Sequence, residues 1–70
     1  MVNTSRLNRI NYLLKVIRNE PTENYSNGKT LEKLEKILLV QFHFSYVTRL
    51  DYLKEIKMIL EEEGIMLSKN

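Results

Sequence analysis

LEKLEKILLVQFHFSYVTRLDYLKEIKMILEEEGI, residues 31–65 of the 70-residue chain, holds two runs of three-and-four apolar spacing separated by a short aromatic junction. That spacing is the period of a helix with one buried stripe, so this half of the chain reads as two consecutive amphipathic helices. In the first run Leu31, Leu34, Ile37, Leu38 and Gln41 share a face, Thr30 stands ahead of them as a cap, and Glu32 falls in the first turn, where the helix dipole favours a carboxylate. The expected helix covers about residues 30–42. Lys33, Glu35 and Lys36 alternate in sign around its outer side, which reads as a solvated surface. After Phe42, His43 and Phe44 the next helix has two possible starts: Ser45, a good capping residue, or Thr48, which with Asp51 three places on has the form of a capping box. Val47, Leu50, Leu53, Ile56, Ile59 and Leu60 carry the apolar spacing on to Glu63. Gly64 is the expected stop. With glycine in the left-handed conformation, Leu60 and Ile65 fall at the two positions whose side chains touch in a Schellman cap.

Working outward, Leu7, Ile10, Leu13, Leu14 and Ile17 mark a first helix over about residues 5–19, with Thr4 or Ser5 available to cap it. Its other faces carry Arg6, Arg9, Lys15 and Arg18 with no acid between them, which concentrates the positive charge of the chain here. Glu20 and Pro21 close it, because proline disfavours helical geometry in the residue before it, and Thr22 to Gly28 reads as a polar loop. At the other end Ile65, Met66 and Leu67 form a short apolar tail that suits a strand, a strap over the core or a subunit contact. Three amphipathic helices of these lengths share one core only as a compact bundle. The fold class expected is all-α, a single three-helix domain over residues 1–70, with room for a short C-terminal strand.

Composition narrows the function. A chain with 43% apolar and 29% charged residues and a net charge of +2 should fold, yet one this short buries only roughly 60% of its unfolded surface and has little material for a catalytic cleft with a supporting shell. Cysteine is absent, which removes disulfides, thiolate metal sites and a thiol nucleophile and is compatible with a reducing, cytoplasmic location. The longest apolar run, Ile37 to Val40, is far short of a membrane span, and Met1 to Arg9 is too polar for a signal peptide. His43 stands alone without a second metal ligand or a nucleophile and acid, and reads as a turn residue. The only glycines are Gly28 and Gly64, so there is no phosphate-cradling or dinucleotide motif. The expectation is a non-enzyme with no catalytic residues, metal, cofactor or small-molecule substrate.

The tight junction Gln41 to Phe44 is what a helix-turn-helix uses to set two helices at a steep angle. With Ser45 opening the last helix, Thr48, Tyr52 and Leu53 following, and Gly64 and Ile65 ending it, Lys29 to Met66 resembles the helix-turn-helix half of small winged-helix and tri-helical DNA-binding proteins of archaeal and viral type. The likeness covers a little over half the chain. The second helix lacks the usual small residue and the tail after Ile65 is too short for a two-stranded wing, which leaves the wingless, tri-helical form open. The resemblance implies a small transcriptional or replication regulator that reads duplex DNA with the start of its third helix. On that reading Tyr46, Thr48, Arg49 and Tyr52 lie off the apolar stripe and enter the major groove, with Arg49 suited to a guanine and Thr48 to a thymine methyl or a phosphate. Lys54 and Lys57, with Arg6 and Arg9 of the first helix, would neutralise phosphates.

A second class of function is equally compatible with a bundle of this kind. Leu39, Val40, Phe42, Phe44, Met58, Met66 and Leu67 are more apolar groups than three short stripes require, which points to a homodimer or a docked partner protein, and a homodimer fits the DNA reading as well, since dimeric DNA binders use it to place two recognition helices about one helical turn apart. A helical adaptor or inhibitor, of viral or plasmid type, would use such a surface and would not depend on Arg49. The modest charge of +2 favours this alternative, because many DNA binders are more basic. Glu61, Glu62 and Glu63 gather negative charge at the end of the third helix, as a solvated patch or against a basic partner.

Overall fold

The computed structural model describes residues 4–69. Helix α1 spans Thr4–Arg18, a single 3-10 turn covers Thr22–Tyr25, helix α2 spans Lys29–Lys36 and widens into a π turn over Ile37–Gln41, and helix α3 spans Tyr46–Glu62. There is no strand among the described residues, and Ile65 to Leu67 is not one. The fold is an all-α three-helix bundle.

The helix ends explain where the chain turns. Helix α1 already includes Thr4 and Ser5, so neither is its cap. It closes with Asn19 N–H on the carbonyls of Lys15 and Val16 and Glu20 N–H on that of Ile17, just before Pro21. The following segment is not a plain loop, because its 3-10 turn lets the Tyr25 hydroxyl reach back 3.1 Å to the Ile17 carbonyl. Thr30 does not cap α2 either. That position belongs to Gly28 at φ 86°, with the Asn27 side-chain oxygen accepting from Lys29 N–H at 3.0 Å, and Thr30 lies buried inside the first turn. Gly28 is required twice over: its φ is left-handed, and a Cβ there would meet the carbonyl oxygen of Lys69 at 2.8 Å.

That approach exists because the C-terminal tail is a strap. Ser68 N–H donates to the Tyr25 carbonyl at 2.8 Å, the Ser68 hydroxyl bonds the Ser26 carbonyl at 3.2 Å, and Leu67 enters the core. The junction between α2 and α3 is tight because the helix unwinds in place. Phe42 N–H bonds the Ile37 carbonyl, Phe44 N–H bonds the Leu38 carbonyl, and His43 between them takes φ 56°, a left-handed conformation that a side chain adopts at a cost. Ser45 then caps α3, its hydroxyl accepting from Thr48 N–H, so the earlier of the two starts is the one used.

Helix α3 stops as its sequence specifies. Ile65 N–H bonds the Leu60 carbonyl at 2.9 Å and Gly64 N–H bonds that of Glu61 at 3.0 Å, the paired bonds of a Schellman cap, with Gly64 at φ 81°. Leu60 is in the core and Ile65 packs against it. A Cβ on Gly64 would meet nothing within 4 Å, so the cost of adding one is the backbone conformation alone. Gly64→Ala is expected to lower stability by about 1 to 2 kcal/mol, read as a shift in the urea midpoint with an unchanged slope.

The core is one cluster: Ile10, Leu13, Leu14 and Ile17 from α1; Leu31, Leu34 and Leu38 from α2; Tyr52, Leu53, Ile56 and Leu60 from α3; and Leu67 from the strap. Four expected stripe positions lie outside it, among them Gln41, which is exposed. Leu7, Val47 and Leu50 are exposed, Val47 at 75%, whereas Tyr52 is buried. Geometry accounts for the exchange in α3. Repeated three-residue steps lag behind a 3.6-residue turn, so the series Val47, Leu50, Leu53, Ile56 winds about 180° around the helix, while Tyr52, Ile56 and Leu60 stay on one side.

Candidate interaction surface

The junction residues and the first half of α3 build two flanks. On the flank facing α1, the Tyr52 ring stacks on Phe44 at 4.9 Å, Phe44 lies 5.4 Å from Phe42, and Phe42 meets the edge of Tyr12 at 6.2 Å. Guanidinium groups from α1 cover this array: Arg6 sits 4.4 Å over Tyr52 and Arg9 5.4 Å over Phe44. Arg6 also forms ion pairs with Asp51 at 2.9 Å and Glu55 at 3.2 Å. Partial burial lowers its pKa, but Glu55 and Asp51 outweigh that and hold it above the ordinary arginine value. Just past the end of α3, its cap residue Glu63 pairs with Arg18 at the far end of α1 at 2.6 Å. Two of the four α1 cations are thus matched by carboxylates of α3 or its cap, which accounts for part of the acidic cluster Glu61 to Glu63 inside the molecule.

The residues proposed for a DNA groove are dispersed. Tyr52 is 3% exposed and belongs to the core, so it is not available at the surface. Arg49 lies on the same helical face as Leu53, Ile56 and Leu60; it is half-buried, donates 2.7 Å to the Phe44 carbonyl and lies 5.7 Å from the Tyr46 ring. Thr48 is engaged with Ser45 through both its N–H and its hydroxyl. Tyr46 and Lys54 are exposed and Lys57 is half-buried. Arg6 and Arg49 line different grooves: Arg6 faces Asp51, Glu55 and Met58, whereas Arg49 faces α2. Between Tyr46 and Glu62, α3 carries three cations and four carboxylates, so the helix itself is of mixed charge.

The second flank, facing α2, is a groove of about 450 Å³. Leu39, Tyr46 and Leu50 form its apolar walls over the edge of Leu53, and Glu32, Glu35, Lys36, Arg49 and Lys69 surround them. Tyr46 is 65% and Leu50 48% exposed, and Val47 continues the apolar surface along the helix. On the α2 side, within the π turn, Leu38 is in the core while its neighbours Leu39 and Val40 are exposed. Of the other surplus apolar groups, Met58 and Met66 are exposed, Phe42 and Phe44 are partly buried, and Leu67 is core.

Among the described residues no three His, Asp or Glu side chains are grouped to hold a metal ion, and no helix is long and apolar enough to cross a membrane. His43 is exposed at the tip of its turn. Comparison with protein families, with characterised proteins and with solved structures finds no significant match for this chain.

Proposed function

We propose that this chain is a non-enzymatic protein-interaction module that docks a partner in the apolar groove between α2 and α3. The observation that carries this reading is the character of the first turns of α3: Tyr46, Val47 and Leu50 are exposed there, while Arg49 is turned onto its own backbone. Apolar groups of this size at the surface gain from being covered, and a rim of mixed charge around them is the ordinary anatomy of a protein contact. Pairing of two copies is one form such docking takes. Helix α3 also carries more carboxylates than cations, which opposes close approach to a phosphate backbone.

A second reading, duplex-DNA binding by a small regulator, draws support from the tight junction before the Ser45-capped α3 and from Lys54 and Lys57 on that helix. One titration separates the two. Fluorescence anisotropy of a labelled random duplex at low salt is expected to show no saturable binding at protein concentrations up to about 10 µM, where non-specific DNA binders already bind. Saturable binding that weakens steeply with salt, and weakens again in Arg49→Ala, would overturn the protein-contact reading in favour of DNA.

A further inference from the structure

Asn27 and Gly28 stand together in the linker between the 3-10 turn and α2, and of the seven asparagines in the chain Asn27 alone is followed by glycine. A carboxamide in that position is reactive for a steric reason. The main-chain nitrogen of the next residue can close a five-membered ring on the side-chain carbon, and glycine puts no Cβ in the way of the closure. Three features leave the step open here. Asn27 is exposed to water, Gly28 N–H donates to no acceptor among the described residues, and Lys29 N–H donates to Asn27 Oδ1 at 3.0 Å, which draws electron density from the carbon to be attacked.

We propose that Asn27 is a site of spontaneous deamidation whose isoaspartyl product unlocks the C-terminal strap. The Gly28 nitrogen loses its proton and bonds to Asn27 Cγ; the Cγ–Nδ2 bond breaks, and Nδ2 leaves with that proton as ammonia. Water then opens the succinimide ring. Opening at Cγ gives an aspartate, whereas opening at the main-chain carbonyl gives an isoaspartate, whose backbone runs through Cβ and Cγ. Either route consumes one water and releases one ammonia.

The two products differ in what they do to the tail. In the aspartyl product Oδ1 still accepts from Lys29 N–H, and its charge precedes the first turn of α2, where the dipole favours it. In the isoaspartyl product that oxygen becomes the main-chain carbonyl ahead of Gly28, and an extra methylene enters the backbone. The cap is lost and Gly28 is displaced. Gly28 has no slack toward the tail, since a Cβ on it would already lie 2.8 Å from the Lys69 carbonyl oxygen. The strap bonds from Ser68 end on Tyr25 and Ser26, directly before Asn27. Release of the tail also frees Lys69 from Glu35 at the rim of the groove. This linker chemistry does not depend on what docks between α2 and α3.

Incubation of the full chain at mildly alkaline pH, followed by peptide mass mapping, tests the site. Asn27 is expected to be the first asparagine to show the mass gain of NH2-to-OH exchange, as aspartyl and isoaspartyl peptides that separate by chromatography. Asn27→Ser, which keeps an oxygen for Lys29 N–H and has no carboxamide, is expected to abolish that signal. Amide exchange reads the strap. In a chain synthesised with isoaspartate at position 27, Ser68 N–H is expected to lose its protection, while Ile65 N–H on the Leu60 carbonyl keeps it; Asn27→Asp is expected to leave both protected. Modification no faster at Asn27 than at Asn24 overturns the site. Ser68 still protected in the isoaspartyl chain, or Ile65 exposed together with it, overturns release of the strap as the consequence.

Discussion

Tyr52→Ala is expected to leave the chain largely unfolded at 25 °C, while Tyr52→Phe remains folded. Tyr52 is 3% exposed, its ring stacks on Phe44 at 4.9 Å, and Arg6 covers the other side at 4.4 Å. Removing a buried aromatic ring costs about 3 to 5 kcal/mol, and a domain below 70 to 80 residues rarely has more than about 3 to 5 kcal/mol of stability in total. The loss therefore matches the whole. Phenylalanine keeps the ring and gives up only a hydroxyl that lies a long 3.5 Å from Arg9, a change of about 1 kcal/mol or less. Circular dichroism with urea titration reads both variants. A stable Tyr52→Ala would mean that the side chain lies at the surface, as a groove-reading residue must, and would contradict the core described above.

The second large effect is a contrast between sequence neighbours. Leu38→Ala is expected to cost about 2 to 5 kcal/mol, and Leu39→Ala within about 0.5 kcal/mol of nothing. Leu38 has no exposed surface and its carbonyl accepts the Phe44 N–H that closes the junction, whereas Leu39 is half exposed on the wall of the groove. Truncating Leu38 opens a cavity in the core cluster; truncating Leu39 removes atoms that already face water. The same urea titrations measure the difference. Equal effects at the two positions would contradict the burial of Leu38 and the exposure of Leu39. Leu39→Ala nevertheless alters the proposed contact face, so its effect belongs in the association equilibrium and not in the fold.

How much of this was readable in advance depends on whether the deciding interaction is local. The Ser45 cap and the Gly64 stop are local: a hydroxyl within reach of an N–H three residues on, and one residue able to take a left-handed φ ahead of an aliphatic contact. Both are as the residues at those positions predict. Thr30 has the same capping chemistry and does not cap, because Gly28 takes the chain into helix before it. The candidate site fared less well for a related reason. Arg49 looks like a solvent-facing cation when only its neighbours in sequence are considered. Its reach to the Phe44 carbonyl depends on the turn at His43 folding that carbonyl back toward α3.

From the order of its residues alone, this chain was determined to be three amphipathic helices with a capped start and a glycine-ended finish to the last, since period, caps and left-handed glycines act within a turn or two of where they are written. Tertiary structure alone decided which flank of α3 goes inward, that Tyr52 is core while Val47 and Leu50 are surface, that Arg6 pairs with Asp51 and Glu55, and that the tail straps Tyr25 and Ser26. Those outcomes compare burial and charge pairing between segments tens of residues apart, and only the packed arrangement of all three helices sets which of the competing contacts is formed.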